Sequence, residues 1–476
     1  MATSITVARD IKATVSRSPP TSVSTSPATT FRSLSFHSSN SSFPKLSHNS
    51  YFPYHQPIEK QLKPFATEDI KILLLENINE SARTVLEKEG YQVEFYNHAL
   101  TEDELIDKLK DIHVLGIRSH TALPLSILKR ANFPNLLAIG TFCIGTPTAS
   151  LLPLARLGIP VFNSPFSSSR SVAELTIANI IILARQLLDR NAELHNGQWN
   201  KVSAHCWEVR GKTLGIVGYG HIGSQLSVLA EAMGMVVIFY DTIPVMALGK
   251  AKQVATLDEL LVKADFLTLH VPEVPETNGL IGAAQLAKMK SGSYILNASR
   301  GSVLDIPSLI SALRSKHLDG AALDVFPAEP GVNGNTFEGY EELSGLPNVV
   351  LTPHIGGATE EAQRFIGNEV AEALVRFVNS GSTVGAVNLP EVALRGMKVG
   401  EEGSVRVIFI HWNRPGVLRQ VNGILKDHNV DKQMSDSRGE VAYLMADISC
   451  VKEEEIKCLY DNLESLTSKI MTRLLY

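Results

Sequence analysis

The chain has 476 residues, 44% of them hydrophobic, enough for two or three domains with substantial cores. Its 44 Lys and Arg against 49 Asp and Glu leave a net charge of −5 with both signs interspersed, so charge gives no reason to propose a nucleic-acid partner. Four cysteines (Cys143, Cys206, Cys450, Cys458) without paired spacing indicate neither a disulfide framework nor a metal site, and a reducing compartment fits. No run reaches the roughly 18 apolar residues of a membrane span, so no membrane partner is expected.

Residues 1–58 hold 21 Ser or Thr, five Lys or Arg and one acid, Asp10. Such a stretch buries too little apolar surface to offset its ordering entropy, and the expectation is a disordered extension over 1–66. Three readings stay open for it. It is an inert tail, a regulatory tail using Ser18-Pro19 and Ser26-Pro27, or a basic, Ser-rich transit peptide. The expected location is cytoplasmic, with plastid or mitochondrion the alternative if residues 1–58 are a transit peptide.

From residue 67 the signals alternate. IKILLLE reads as a strand, 80–89 as a helix, YQVEFY as a strand, 102–110 as a helix and HVLGIRS as a strand. This is a small α/β lobe, predicted over 67–162. A larger βαβ lobe, 163–356, follows. Within it TLGIVGYGHIG runs a strand into Gly218-Tyr-Gly220-His-Ile-Gly223, the G-x-G-x-x-G turn that lets a pyrophosphate approach a helix N-terminus. The helix pattern SQLSVLAEAMG comes next, then the strand VVIFYD, ending in Asp241, where a carboxylate can accept from ribose hydroxyls. That context predicts a bound NAD.

Three short apolar runs, SYILN, GAALDV and NVVLT, each lead to a candidate catalytic residue: Arg300, Glu329 and His354. In a parallel sheet, residues beyond the carboxyl ends of the strands converge on a ligand. A fixed cation can hold a carboxylate, an imidazole can carry a proton, and a carboxylate can hold that imidazole in its charged form. The set suits hydride transfer to or from a 2-hydroxy acid. His195, His205 and His270 read as structural, Trp199 as a packing or subunit-contact residue, and Lys201 as a candidate to face substrate phosphate from a partner subunit.

The helical stretch 358–381 reads as the chain returning to the first lobe, which would make that lobe 67–162 plus 357–395. GMKVGEEG (396–403) looks like a linker. The remaining residues, 404–476, read βαββαβ, with a helix starting near Pro415 and a short strand near 430–435. The fold class is therefore α/β: a two-lobed Rossmann-type catalytic part followed by a smaller binding or regulatory unit.

The motifs FNSPFSSSRSVAEL, GYGHIGSQL, LHVPEVPET, NASRGSVLDIPSL, GAALDVFPAEP, LTPHIGGATEEAQ and HWNRPGVL resemble the phosphoglycerate-dehydrogenase branch of the D-isomer-specific 2-hydroxyacid dehydrogenases. The likeness is to the form with a C-terminal ACT domain, and WEVRGKTLG is especially similar to its fungal members. The resemblance runs from about Lys71 to Tyr476. It implies NAD-dependent oxidation of 3-phospho-D-glycerate in serine synthesis, reduction of 2-oxoglutarate as a side activity, and a homotetramer. Position by position it implies catalysis by Arg300, Glu329 and His354. It implies NAD contacts at His221, Ile222, Asp241, Ala298, Ser299, Arg300, Asp324, His354, Ile355, Gly356 and Gly357. Substrate binding falls on Arg118 and Ser119, with Asn163 facing them from the second lobe, and serine binding on His411, Asn413 and Asp431. Three departures stand out: the segment 147–158, His120 where relatives carry a basic residue, and Asp431 where serine-inhibited relatives have an asparagine. A nucleotide-sensing corepressor, which would lack the C-terminal unit, and an inactive amino-acid sensor are the readings from other classes. An assay with NAD and a panel of 2-hydroxy acids separates them.

Overall fold

The computed structural model describes residues 67–131, 133–145, 151–330, 334, 337, 341–396 and 403–476. The Ser/Thr-rich extension, the segment 146–150 and the linker interior 397–402 lie outside the described residues.

Apolar runs form most strands of two parallel sheets, covered on both faces by helices, which is why they read as continuous rather than alternating; the edge strands Gln92–Phe95 and Lys252–Gln253 are the exceptions. The first begins with β1 (Lys71–Leu74), α1 (Glu80–Lys88), β2 (Gln92–Phe95), α2 (Glu102–Lys108) and β3 (Val114–Ile117). It continues with α3 (Leu125–Arg130), β4 (Ala138–Thr141), α4 (Leu151–Arg156) and β5 (Val161–Asn163). Its order is β2-β1-β3-β4-β5, parallel throughout. Asn163 therefore ends a strand of the first sheet, paired with Thr141, and does not face Arg118 from the second lobe as expected.

Two helices, α5 (Ser169–Arg185) and α6 (Leu187–His195), lead to the second sheet. It comprises β6 (Thr213–Val217), α7 (His221–Ala232), β7 (Val236–Tyr240), β8 (Lys252–Gln253), α8 (Leu257–Lys263) and β9 (Phe266–Leu269). Then come α9 (Ala283–Lys288), β10 (Ser293–Asn297), α10 (Ile306–Arg314), β11 (Leu318–Leu323) and β12 (Val349–Leu351). The order β12-β11-β10-β9-β6-β7-β8 reverses its winding between β6 and β9, the switch point where open parallel sheets bind ligands. The long α11 (Glu360–Ser380) then carries the chain back to the first sheet, burying Val370, Leu374 and Phe377 with Ile72, Leu74 and Phe162. No single described helix is long and apolar enough to cross a membrane.

The last unit runs β13 (Val405–Trp412), α12 (Val417–Leu425), β14 (Asn429–Arg438), β15 (Val441–Ser449), α13 (Glu453–Glu464) and β16 (Lys469–Leu475). Its antiparallel order is β14-β15-β13-β16. Both faces of β13 are covered. Val405, Val407 and Phe409 pack under α12 and α13, while Ile408 and Ile410 join the core of the first sheet. Two expectations are corrected here. The short strand near 430–435 is a ten-residue edge strand, exposed at every position, so its polar sequence carried no burial signal. The helix starts at Val417 rather than Pro415, because Gly416 before it is left-handed (φ 89°).

The end of α11 needs partners for its last carbonyls, and this sheet supplies them. Buried Arg473 donates to Phe377 O (3.4 Å) and Val378 O (3.0 Å), and the Tyr443 hydroxyl donates to Gly381 O (2.6 Å). Fully buried Arg406 donates to Ser380 O (3.0 Å) and Arg395 O (2.8 Å) while paired with Asp447 at 2.6 and 2.9 Å. Removing one partner of such a pair leaves an uncompensated buried charge and costs about 3–5 kcal/mol. Arg406→Ala is therefore expected to lower the thermal midpoint by several degrees in calorimetry; a wild-type midpoint would contradict the arrangement.

Candidate active site

The carboxyl ends of the neighbouring strands β10, β11 and β12 bring the expected triplet to one edge of the second sheet. After β10, buried Asn297 fixes the turn: its side-chain amide donates to Arg300 O (2.9 Å), and its oxygen accepts from Ser299 N (3.1 Å) and Ser299 Oγ (2.9 Å). Arg300 itself donates to Ser299 O (2.6 Å) and is half-buried. The next residue must be glycine, since a Cβ at Gly301 would lie 1.9 Å from the Phe326 carbonyl carbon. That contact presses the Arg300 turn onto the loop that carries Glu329.

Glu329 uses one oxygen to accept from Phe326 N (2.9 Å) and the other to meet His354 Nδ1 at 2.7 Å. With Nδ1–H donated to the carboxylate, Nε2 is left as the free acceptor facing the cleft. His354 is left-handed (φ 53°), a conformation that non-glycine residues adopt only when held. Asp324 holds it. This buried carboxylate accepts from Thr352 Oγ1 (2.6 Å), Ile355 N (2.8 Å) and Gly356 N (2.8 Å). Both its oxygens are thus taken up by the His354 turn, and so are two of the backbone donors, Ile355 and Gly356, that the sequence assigned to the cofactor.

At the switch point Gly218 is left-handed (φ 89°), and a Cβ there would sit 2.3 Å from His270 O. Gly220 caps α7 in extended conformation, and the first helical bond runs from Ser224 N to Gly220 O (2.9 Å). The N–H groups of His221, Ile222 and Gly223 are left without intrahelical partners at the positive end of the helix, a fit for a pyrophosphate. Asp241 accepts from Tyr219 N (2.9 Å) and Ile243 N (3.3 Å), so it secures the glycine turn and remains half-exposed beside it. The His221 ring packs against Phe166, 3.8 Å between centroids and tilted by 35°. Burial pushes His270 down to about 4, so it is a neutral structural histidine, as expected.

On the first sheet, half-buried Arg118 and exposed Ser119 and His120 follow β3. Asn163 donates to Ile144 O (2.6 Å) and so ties β5 to the loop after β4. Cys143 joins the two sides: burial raises its thiol to about 11, and both Arg118 and Arg300 lie near enough to pull it down. In the Ser-rich loop, Ser164 and Ser167 are bound to Glu369 of α11, and Ser171 lies 2.7 Å from Thr359 Oγ1. The Ser168 hydroxyl is buried without a partner among the described residues. Sequence reasoning missed Asn297, Glu369 and Glu76, whose carboxylate binds the backbone of the Arg118 turn. Only Glu76 had a signal, as the acid closing the run IKILLLE. Among the described residues no group of three His, Cys, Asp or Glu is arranged to hold a metal ion.

Comparison with known proteins agrees with this geometry. Residues 177–356 match the model described as D-isomer specific 2-hydroxyacid dehydrogenase, NAD binding domain. D-3-phosphoglycerate dehydrogenase 1 of Saccharomyces cerevisiae is 60% identical over 423 residues, 88% of this chain and 90% of that protein. D-3-phosphoglycerate dehydrogenase of Escherichia coli K12 is 45% identical over 86% of this chain and 98% of its own. Among solved structures, the NAD-complexed D-isomer specific 2-hydroxyacid dehydrogenase of Lactobacillus delbrueckii ssp. bulgaricus is 27% identical with a TM-score of 0.60. It covers 67% of this chain and 100% of its own. D-lactate dehydrogenase of Aquifex aeolicus, complexed with NAD and lactic acid, is 27% identical at 0.58 over the same shares.

The cofactor is NAD, and Asp241 should discriminate against a 2′-phosphate. A like-charge contact near 4 Å at an effective dielectric of about 20 costs roughly 4 kcal/mol, on the order of a thousandfold. kcat/KM with NADP is expected to fall by about that factor. Equal values for the two cofactors would remove Asp241 from this role.

Proposed function

The chain belongs to the D-isomer specific 2-hydroxyacid dehydrogenase family, among its D-3-phosphoglycerate dehydrogenases, and from that premise we propose that Arg300, Glu329 and His354 carry its reaction. That reaction is the NAD-dependent oxidation of 3-phospho-D-glycerate to 3-phosphohydroxypyruvate, the dehydrogenase step of serine biosynthesis. The observation that carries the proposal is the 2.7 Å contact of His354 Nδ1 with Glu329, at the carboxyl end of the sheet that also carries the glycine turn.

Arg300 holds the substrate carboxylate and the C2 oxygen, a match for a planar cation. His354 Nε2 removes the C2 hydroxyl proton, and bound NAD supplies the hydride acceptor. Glu329 keeps the imidazole in the tautomer that leaves Nε2 free and stabilises the imidazolium that forms. Arg118 and Ser119 take the phosphate end, with Asn163 shaping the loop beside them. His354→Ala is expected to lower kcat by about 10²–10⁴-fold with NAD binding retained, the usual scale of a general base. Glu329→Gln should cost less, and should add little on top of His354→Ala because the two act as a unit. Independent losses that multiply in the double variant would separate Glu329 from the mechanism.

We further propose that the βαββαβ unit is an ACT-type effector domain that binds L-serine between two subunits. His411 and Asn413 lie where β13 ends, and Asp431 sits in the bulge between Val430 and Lys432. Across β15, His411 aligns with Ala442 and Lys432 with Asp447, so the two groups stand five rungs apart, about 17 Å at the usual rise. One ligand can touch both only if the exposed edge strand β14 meets a second copy. His411 is buried with Nδ1 at 2.9 Å from Trp412 O, and its Nε2, buried as well, has no partner among the described residues, which leaves it to be satisfied by an effector or a second copy. Asp431 accepts from Asn429 (2.7 Å) and offers no donor. Asp431→Asn should lower the serine concentration for half-inhibition, and His411→Ala should raise it. If saturating serine changes neither wild type nor Asp431→Asn, the effector assignment fails and the unit serves assembly alone.

A further inference from the structure

We propose that Glu76 is a positioning residue for substrate recognition: its buried carboxylate sets the backbone of residues 118–121 so that Arg118 is presented to the anionic end of the substrate. The proposal rests on the reading above in which Arg118 binds the phosphorylated substrate.

Glu76 is 6% exposed and follows β1, next to β3 in the first sheet. One carboxylate oxygen accepts from Arg118 N (3.2 Å) and Thr121 N (2.7 Å), and the other accepts from His120 N (2.9 Å). These three donors belong to a single turn, the one that carries Arg118 and Ser119. An ionised carboxylate is suited to gather convergent N–H groups, since charge-assisted bonds are roughly twice as strong as neutral ones.

The backbone beneath is held in a costly shape for this purpose. Glu76 (φ 66°) and Asn77 (φ 52°) are consecutive non-glycine residues in the left-handed region. Their N–H groups reach across to His98 O (3.3 Å) and Tyr96 O (3.2 Å), which fixes the acid from the other side. The carboxylate also lies close enough to Cys143 to raise its thiol, where Arg118 and Arg300 both lower it. The charges of the anchor, the anchored arginine and the arginine of the second sheet are thus all felt at Cys143.

A glutamine at 76 has the same shape but one acceptor oxygen. It can satisfy Arg118 and Thr121, or His120, and turns an NH₂ group toward the remaining N–H. The turn should loosen while the nicotinamide side of the cleft stays as it was. A purely structural acid would instead affect both substrates and the melting temperature together.

Steady-state kinetics of the full chain test this. Glu76→Gln should raise KM for 3-phosphoglycerate at least tenfold, with kcat within about threefold of wild type and KM for NAD unchanged. Arg118→Ala should raise the same KM, and adding Glu76→Gln to it should cost no more than about another twofold, because the anchor acts through what it anchors. Should Glu76→Gln fail to fold, Glu76→Asp, which keeps the charge and withdraws it by one methylene, must give the same KM-selective loss and the same non-additivity. Losses that multiply in the double variant, or KM values for both substrates that rise together with a lowered melting temperature, overturn the role of Glu76. An Arg118→Ala enzyme with wild-type KM overturns the substrate assignment of Arg118 itself, a different result.

Discussion

The cleft depends on one constraint: the turns that leave a parallel sheet carry backbone N–H groups that the sheet no longer satisfies and that burial makes expensive to leave unpaired. This protein answers it three times with the same device, a carboxylate beyond the end of one strand spent on the turn of its neighbour. Glu76 beyond β1 binds the turn after β3, Asp241 beyond β7 binds the glycine turn after β6, and Asp324 beyond β11 binds the His354 turn after β12. The three turns carry the residues proposed to meet the phosphate, the pyrophosphate and the C2 hydroxyl proton. Backbone positions that would otherwise drift by an ångström are fixed by charge-assisted bonds. Such drift is what proximity catalysis cannot tolerate.

The second organising element is α11. Its first residues follow directly on His354 and Gly357, its middle holds Ser164 and Ser167 through Glu369, and its last carbonyls are capped by Arg406, Arg473 and Tyr443. At 1.5 Å per residue its 21 residues span about 31 Å. The C-terminal sheet therefore bears on the same rigid rod that begins at the catalytic turn. It does so with buried charges whose geometry admits little slippage.

Much of this was legible in the sequence, for physical reasons that can be named. Two-sided burial makes parallel strands read as short apolar runs, and the glycine turn is specified by contacts that only glycine permits, so the second sheet and the triplet were readable from spacing. The exposed strand β14 was not, since nothing in NVDKQMSDSR reports an antiparallel neighbour. Nor was the division of labour among the acids. An acid closing an apolar run looks the same whether it meets a ligand or a turn. The resemblance offers Asp324 to the cofactor, but its bonds to Thr352, Ile355 and Gly356, some thirty residues away along the chain, could not be read from the sequence. Asn163 was assigned to the wrong sheet for a similar reason: the three-residue β5 is too short to announce its pairing.

Burial also sorts the titratable groups around the candidate site. Desolvation disfavours the charged form of any group, so it raises a thiol and lowers an imidazole. Cys143 feels the charges of both Arg118 and Arg300, which favour its thiolate, yet burial outweighs both cations and pushes the thiol up to about 11. His270, beside the glycine turn, is held neutral down to about 4. Neither can exchange a proton with substrate near neutral pH. His354 differs in being half-exposed to the cleft, in direct contact with a carboxylate, and carried on a turn whose backbone donors are already engaged by Asp324. Of these three groups, His354 is the one that is exposed, paired with an acid and fixed in place by its turn, which is what the proposed general base requires.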